Sequence, residues 1–567
     1  MQKNIYIPCN HGIIIVRRRL KMKKEVKKFD LVKISGAMVL LTVLLTWIIP
    51  QGTFSGTEMQ IGEITRIGIF DFFTYGLLGM YYFTVLVTFI FVLGGFYQVL
   101  SRIGGYQALI TKLAKIFKKK EILFTLLVSF IFTAISAVTN EYILLLAVVP
   151  FIMSIMKEMK FDKISTFATT VGSILVGTIG SMYSTKIVGM NVQQFGIEYN
   201  TLWYIKLIIL LLAFILFNVF NILHLRKTQK NKESEPMEDV FEPANVTKKK
   251  TIWPVATLLI IFAIISIMAY FPWEEVFEIK WFSNALKSIQ EYKLFDSTIF
   301  AYILGEVRAF GSWDIFGIQA LMIITALLLK WIYKLSLDDF LESFGEGLKK
   351  SGKLVVLLLI CYLVLEFTVM YPVVTTIVDW FISLSDKFNV VLTTISGLFT
   401  SLFTVEYQYT VSLIGAYLKS SFADNVNQIA IILQTTFGLA SMIAPSSAIL
   451  MMGLSLCDIK FKDWLKYIWK FGVFLFGNLA NCNYFLRLFV CCLHTVTTAN
   501  IRHLLRYASS SSSGLLPSQR RSESELPPPP DETATGCPQI KASAMVKILS
   551  RTDGSANWSR NVCICSV

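Results

Sequence analysis

Two glutamates sit where a charge is hardest to hold. Glu141 lies in Thr139-Asn140-Glu141-Tyr142, between the uncharged apolar runs Ile122–Val138 and Ile143–Met156. Glu406 lies in Thr404-Val405-Glu406-Tyr407, again between apolar runs, in the second half of the chain. A carboxylate inside lipid-like sequence is costly, so each marks a candidate site for a coupling ion, a proton or the cationic group of a solute. The plainer alternative is a structural pair, neutralised by neighbours such as Lys186 or by backbone amides. Duplication at a fixed spacing favours a shared site between two halves built on one plan.

A second pair of features keeps the same spacing. Gly172, Gly177 and Gly180 lead into Ser181-Met182-Tyr183-Ser184-Thr185-Lys186, and Ala444-Pro445-Ser446-Ser447 interrupts a later apolar run. Ser181 is separated from Ser446 by the same interval that separates Glu141 from Glu406. Small and polar residues within a span predict a helix broken midway. The half-helix ends carry about half a positive charge and unpaired N–H groups, which suit a carboxylate. Serine hydroxyls and freed carbonyls suit a sodium ion. The alternative is a glycine or proline kink sealed by neighbouring helices. Lys186 is either a counter-charge to a solute or a side chain snorkelling to the outer surface. Glu366, near Pro372, is a weaker candidate for the same cation pathway.

The expected solute-binding set is therefore Thr139, Asn140, Ser181, Ser184, Thr185, Thr404, Gln408, Pro445, Ser446 and Ser447, with Glu141 and Glu406 for ion coupling. A sodium ion would sit near Asn140, Ser181 and Ser446, and a proton is the other coupling ion. No cofactor is expected. His11, His224, His494 and His503 all fall outside the expected core, and no Ser-His-Asp, metal-ligand or phosphate-loop arrangement is present, so an enzyme is not expected.

The elements that must position these residues follow from composition. Of 567 residues, 54% are hydrophobic and 16% charged, with a mean hydropathy of +0.60. Soluble domains carry about 25% charged residues, and many runs here reach the ~20 residues that cross a bilayer as helix. The class is an all-α polytopic membrane protein. The net charge of +15 does not imply nucleic acid, because the basic residues flank apolar runs and orient them. Nine cysteines have no metal-ligand spacing, and Cys361 and Cys457 read as core thiols. Trp253, Trp273, Trp331, Trp464 and Trp469 read as interface anchors.

In chain order, residues 1–30 are a basic cytoplasmic leader before an uncleaved first span, about Val32–Ile49. Residues 51–75 lie outside, Gly76–Leu100 returns, and 105–117 is an amphipathic interfacial helix. Lysines bound both ends of 121–158, which predicts a re-entrant hairpin with Glu141 at its tip. Residues 164–191 form the broken helix, Leu202–Leu225 returns, and 226–250 is a charged cytoplasmic linker. Span 252–271 inverts the second half, 272–313 is external, and Ile315–Tyr333 returns to an interfacial stretch, Leu337–Lys350. Leu354–Phe381 crosses irregularly around Glu366 and Pro372, hairpin 390–418 enters from outside, 429–456 is the second broken helix, and a last span begins near Tyr467. The result is two inverted-topology repeats, 31–225 and 251–476, with about nine crossings plus two hairpins. From 477 to 567 the chain turns Ser-, Arg- and Pro-rich, which predicts disorder and suggests a translation-frame or gene-model artefact.

Residues 30–475 resemble the C4-dicarboxylate anaerobic carriers, in the YfcC-like branch of the ion transporter superfamily. The likeness is greatest in Thr139–Ser184 and Gln434–Phe471. Thr139-Asn140 is similar to the superfamily's Ser-Asn-Thr hairpin tip, and Glu141 to the glutamate of the branch's first hairpin. Ile443-Ala444-Pro445-Ser446-Ser447 resembles its Ile-Pro-Thr-Ser motif, and Phe461–Lys466 its closing Tyr-x-Lys-Trp segment. The resemblance implies an inner-membrane secondary carrier, sodium- or proton-coupled, for carboxylates or amino acids. It also implies a homodimer in which a hairpin-bearing domain moves against a scaffold. Two departures bear on the solute: Ser184-Thr185 replaces an expected Asn-Pro, and Val405-Glu406-Tyr407-Gln408 replaces a Ser-Gly turn. A second midplane glutamate suits a dianion only with an accompanying cation or proton, and makes a zwitterionic or basic amino acid attractive. The expected function is alternating-access symport or exchange of a small organic solute, the alternatives being an arginine/ornithine-type exchanger or a channel.

Overall fold

A computed structural model describes residues 30–473 apart from 56–57, 232–239, 242–245, 272, 294–296 and 306, together with 6–9, 12–15 and 475. The tail expectation, 477–567, lies outside the described residues. Tyr6–Cys9 and Gly12–Ile15 pair antiparallel, as do Gly52–Ser55 and Glu58–Ile61.

Helices dominate. The first half runs α1 (Asp30–Ile48), α2 (Ile69–Tyr82), α3 (Thr84–Arg102), α4 (Gly104–Ile116), α5 (Glu121–Thr139), α6 (Tyr142–Leu146), α7 (Val149–Glu158), α8 (Lys163–Phe167), α9 (Ser173–Ile179), α10 (Met190–Phe195) and α11 (Trp203–Asn231). There follow α12 (Trp253–Tyr270), three short helices α13 (Trp273–Phe277), α14 (Trp281–Glu291) and α15 (Ile299–Leu304), and α16 (Ile315–Tyr333). The second half closes with α17 (Leu337–Met370), α18 (Val373–Ile382), α19 (Val390–Ser401), α20 (Tyr407–Ser421), α21 (Val426–Ser441) and α22 (Ala448–Leu456). Residues 461–473 are helical as well. Among the described residues, six helices are long and apolar enough to cross a bilayer. Leucines and isoleucines on their outer faces remain exposed, as Leu40 on α1 and Leu327 on α16 do, which suits contact with lipid.

Three elements depart from the sequence expectation. The interfacial stretch 337–350 and the crossing from 354 are one helix, α17, and the chain breaks only at Tyr371-Pro372. Proline at 372 lacks an N–H and disfavours helix at the residue before it, whereas Glu366 stays helical. The span expected over 76–100 is two helices meeting at Phe83. The return limb of the first hairpin is interrupted at Ala147-Val148, just ahead of Pro150 at the start of α7.

Close crossings rest on glycine. A Cβ on Gly94 of α3 would fall 2.5 Å from the Gly347 carbonyl of α17, and one on Gly347 would fall 2.2 Å from the Gly94 carbonyl. The two backbones touch there, the contact that small residues permit between helices in lipid. Gly438 does the same for α21 against α9, where a Cβ would lie 2.6 Å from the Ile179 Cα.

Candidate solute and ion site

The first tip is built on a left-handed residue. Asn140 ends α5 at φ 52°, a conformation asparagine tolerates better than most residues, and Thr178 of α9 donates to its Oδ1 at 3.0 Å. The break after α9 folds back under this tip. Ser181 Oγ donates to the Ala137 carbonyl at 3.2 Å, and Ser184 Oγ donates to the Thr139 carbonyl at 3.0 Å. Carbonyls left open where α5 ends are thus satisfied by serines of the next element. Ser184 also caps the next helical turn, accepting from the Lys186 N–H at 3.2 Å. That turn, Thr185–Gly189, is π-helical, and so is Ala168–Gly172 before the break; such turns concentrate at functional sites.

The second tip repeats part of this construction. Ser446 Oγ donates to the Leu402 carbonyl at 2.6 Å. Donor and acceptor follow Ser181 and Ala137 by the interval that separates the two glutamates. Thr404 and Thr410 share a hydroxyl hydrogen bond of 2.5 Å. The Pro445 carbonyl accepts from Ser35 Oγ of α1 at 3.0 Å. Ser447 is the residue before α22, and Thr185 opens the limb that continues into α10.

The charged groups converge. Lys186 Nζ lies 2.7 Å from Glu141 Oε2, with the lysine side chain 45% exposed and the glutamate 13%. Lys186 is therefore an ion-pair partner of Glu141, not a side chain snorkelling away from it. Both Glu141 and Glu406 act electrostatically on Lys186 and on Tyr142. Glu406 Oε1 accepts from Tyr362 Oη at 2.5 Å, and its Oε2 from Gln408 Nε2 at 3.2 Å. Two further contacts join the halves: Gln434 Nε2 donates to the Ser181 carbonyl at 2.8 Å, and Tyr407 Oη donates to Asn191 Oδ1 at 2.6 Å.

Glu366 stands apart from this group. It is buried, faces α2 at Gly79, and neither carboxylate oxygen has a hydrogen-bond partner among the described residues. Trp464 is fully buried, and its Nε1 donates to the Met442 carbonyl at 2.9 Å at the second break. It is a capping residue, not an interface anchor. Trp253, Trp331 and Trp469 are exposed, as interface anchors are. Cys361 and Cys457 are buried free thiols. His224 ties α11 to the turn before α8 through Asp162 Oδ2 at 3.2 Å.

Tyr362, Gln434 and Thr178 were not among the sequence candidates, and Trp464 was named only as an interface anchor. One signal existed for Tyr362: Tyr97 precedes it by that same recurrent interval and donates to the Ala147 carbonyl of the other hairpin at 2.5 Å.

No group of three or more His, Cys, Asp or Glu side chains among the described residues is placed to hold a metal. The arrangement brings together two carboxylates, one ammonium, hydroxyls and helix ends, groups whose chemistry suits reversible contact with small ions and polar solutes.

Residues 30–480 match the model of the DcuC family, C4-dicarboxylate anaerobic carrier. No curated protein matches the chain. Among solved structures, the YdaH transporter of Alcanivorax borkumensis is similar at 12% identity and a TM-score of 0.34, over 80% of this chain and 97% of that one.

Proposed function

Because the chain belongs to the C4-dicarboxylate anaerobic carrier family, we propose that it is an ion-coupled secondary carrier of a small carboxylate or amino acid, loaded between the two hairpin tips and the two helix breaks. As a member of that family it is a multi-pass membrane transporter and not an enzyme. Alternating access then follows from one half shifting against the other.

The observation that carries this reading is the Lys186–Glu141 pair at the first break with Glu406 in electrostatic reach. A charged pair at bilayer depth whose lysine is partly exposed is tolerable only beside a water-filled space. Two carboxylates against one ammonium leave one negative charge. A dicarboxylate therefore enters only with added cations or protons, whereas an amino acid brings its own ammonium. Ser181 and Ser446 point their protons at carbonyls, which leaves oxygen lone pairs for a sodium ion; Asn140, held by Thr178, ends the helix whose Ala137 carbonyl accepts from Ser181. The carboxylate of the solute is placed at Lys186 and the helix ends after Ser184 and Ser447, with Thr139, Thr185, Thr404 and Gln408 completing the wall.

The reading includes two inverted repeats, and the serine-to-carbonyl bond that recurs at one spacing supports them. Repeats 31–225 and 251–476, about nine crossings, a cytoplasmic N-terminus in the inner membrane and a homodimer complete the proposal. The excess carboxylate also favours a second reading, exchange of basic amino acids.

In proteoliposomes, uptake of labelled C4-dicarboxylates and amino acids is measured with imposed sodium or pH gradients. Glu141→Gln and Glu406→Gln each abolish uptake or uncouple it from the ion gradient; full coupled transport by both variants overturns the site. Counterflow between labelled arginine and ornithine identifies the exchanger.

A further inference from the structure

Away from the solute site, one cavity has no role in the transport cycle described above. It has a volume of about 980 Å³ and is walled by α4 (Gly104, Gln107, Ala108, Thr111), the end of α7 and the segment entering α12. Its described lining carries Lys112, Lys115, Lys157, Lys248 and Lys250 and no carboxylate.

The wall is built, not draped. Thr247 donates its N–H to the Arg102 carbonyl at 2.9 Å and accepts from the Gly104 N–H at 2.9 Å. A Cβ on Gly104 would lie 2.4 Å from the Thr247 carbonyl, and one on Gly105 would lie 2.4 Å from the Thr251 carbonyl. Two adjacent glycines thus let the 247–251 backbone press onto α4. Lys249 turns away, donating to the Ile332 carbonyl at 2.9 Å and lying over the Tyr333 ring. Lys248 and Lys250 line the cavity.

The depth of the cavity points to its occupant. Exposed Trp253 at the start of α12 and Trp331 near the end of α16 flank the same segment, and exposed tryptophans at helix ends mark the level of lipid headgroups. A basic pocket between helices at that level recognises anionic headgroups. We propose that the cavity between α4, the end of α7 and residues 246–252 binds the phosphate-bearing headgroup of an anionic membrane lipid. The occupant bridges the first hairpin, through Lys157, to the α4–α12 corner, so it stiffens one against the other.

The test uses the full chain in nanodiscs, with retained lipid counted by native mass spectrometry. Phosphatidylglycerol is compared with phosphatidylcholine at equal mole fraction, and inorganic phosphate is added as a competitor. Lys112→Ala/Lys115→Ala and Lys248→Ala/Lys250→Ala should each weaken phosphatidylglycerol binding roughly 30-fold, at the increment expected per headgroup-level lysine. Lys118→Ala/Lys119→Ala, with the same charge removed outside the cavity, should leave it unchanged, and all three should melt as wild type does in phosphatidylcholine. Equal loss in all three double variants, no loss in any, or equal retention of phosphatidylcholine overturns the site. Inorganic phosphate displacing the lipid at millimolar concentration overturns the lipid as its source.

Discussion

Glu406 is the residue whose partner the sequence concealed. Among the described residues, Tyr362 supplies one of two side-chain donors to its carboxylate, the other being Gln408. A hydrogen bond to a charged acceptor is worth ~1.5–3 kcal/mol, so Tyr362→Phe should lower initial uptake about tenfold or more while the protein still folds. Uptake at the wild-type rate would remove Tyr362 from the site. The first tip differs, because Glu141 has Lys186 at 2.7 Å in the role that Tyr362 plays for Glu406. One carboxylate is held by a charge and the other by neutral donors, so the two need not respond alike to substitution: Glu141→Gln strands an ammonium, and Glu406→Gln does not.

Helices here are placed by what their backbones allow. The crossing of α3 and α17 at Gly94 and Gly347 has no room for a side chain. Gly347→Leu forces them apart at a cost of about 1–3 kcal/mol, read as a lower melting temperature in detergent; unchanged melting would mean the helices do not touch there. At the base of α8, burial pulls the Asp162 carboxyl up, but hydrogen bonds from His224 and Ser165 outweigh it and hold the group below its usual range. A carboxylate lowered on folding stabilises fully above its unfolded value of about 3.8 and loses that contribution as pH falls through the lower folded value. Acid unfolding followed by intrinsic fluorescence should show this loss in the wild type and a flatter profile in Asp162→Asn. Identical profiles would take the Asp162–His224 tie out of the stability of the protein. The sequence offered His224 only as a residue outside the core, since a contact so far along the chain from Asp162 leaves no periodic trace.

For the molecule as a whole, alternating access predicts a compartment switch. Single cysteines placed as Thr139→Cys and Gln408→Cys should react with a membrane-impermeant reagent from one and the same side of the bilayer in a given state of the carrier, and transported solute should protect both. Simultaneous reaction from opposite sides, unaffected by solute, would exclude a site shared by the two halves. Family membership makes the chain a membrane carrier.

Sequence alone determined the helical membrane class, the acidic tips, the helix breaks and their recurrence at one constant interval. Each of these is a local matter of transfer free energy or backbone preference, written in composition and spacing. The glutamates stood out because charge in an apolar run is rare; Tyr362 did not, because an aromatic in an apolar run is ordinary, and Trp464, among Lys462, Asp463 and Lys466, read as an interface anchor. Tertiary structure decided which groups meet. It turned Lys186 onto Glu141, sent the Trp464 indole to the Met442 carbonyl and ran α17 unbroken to Met370. Those outcomes depend on where helices cross and which glycines let them approach, and crossing geometry is a property of pairs of elements that no single run of residues encodes.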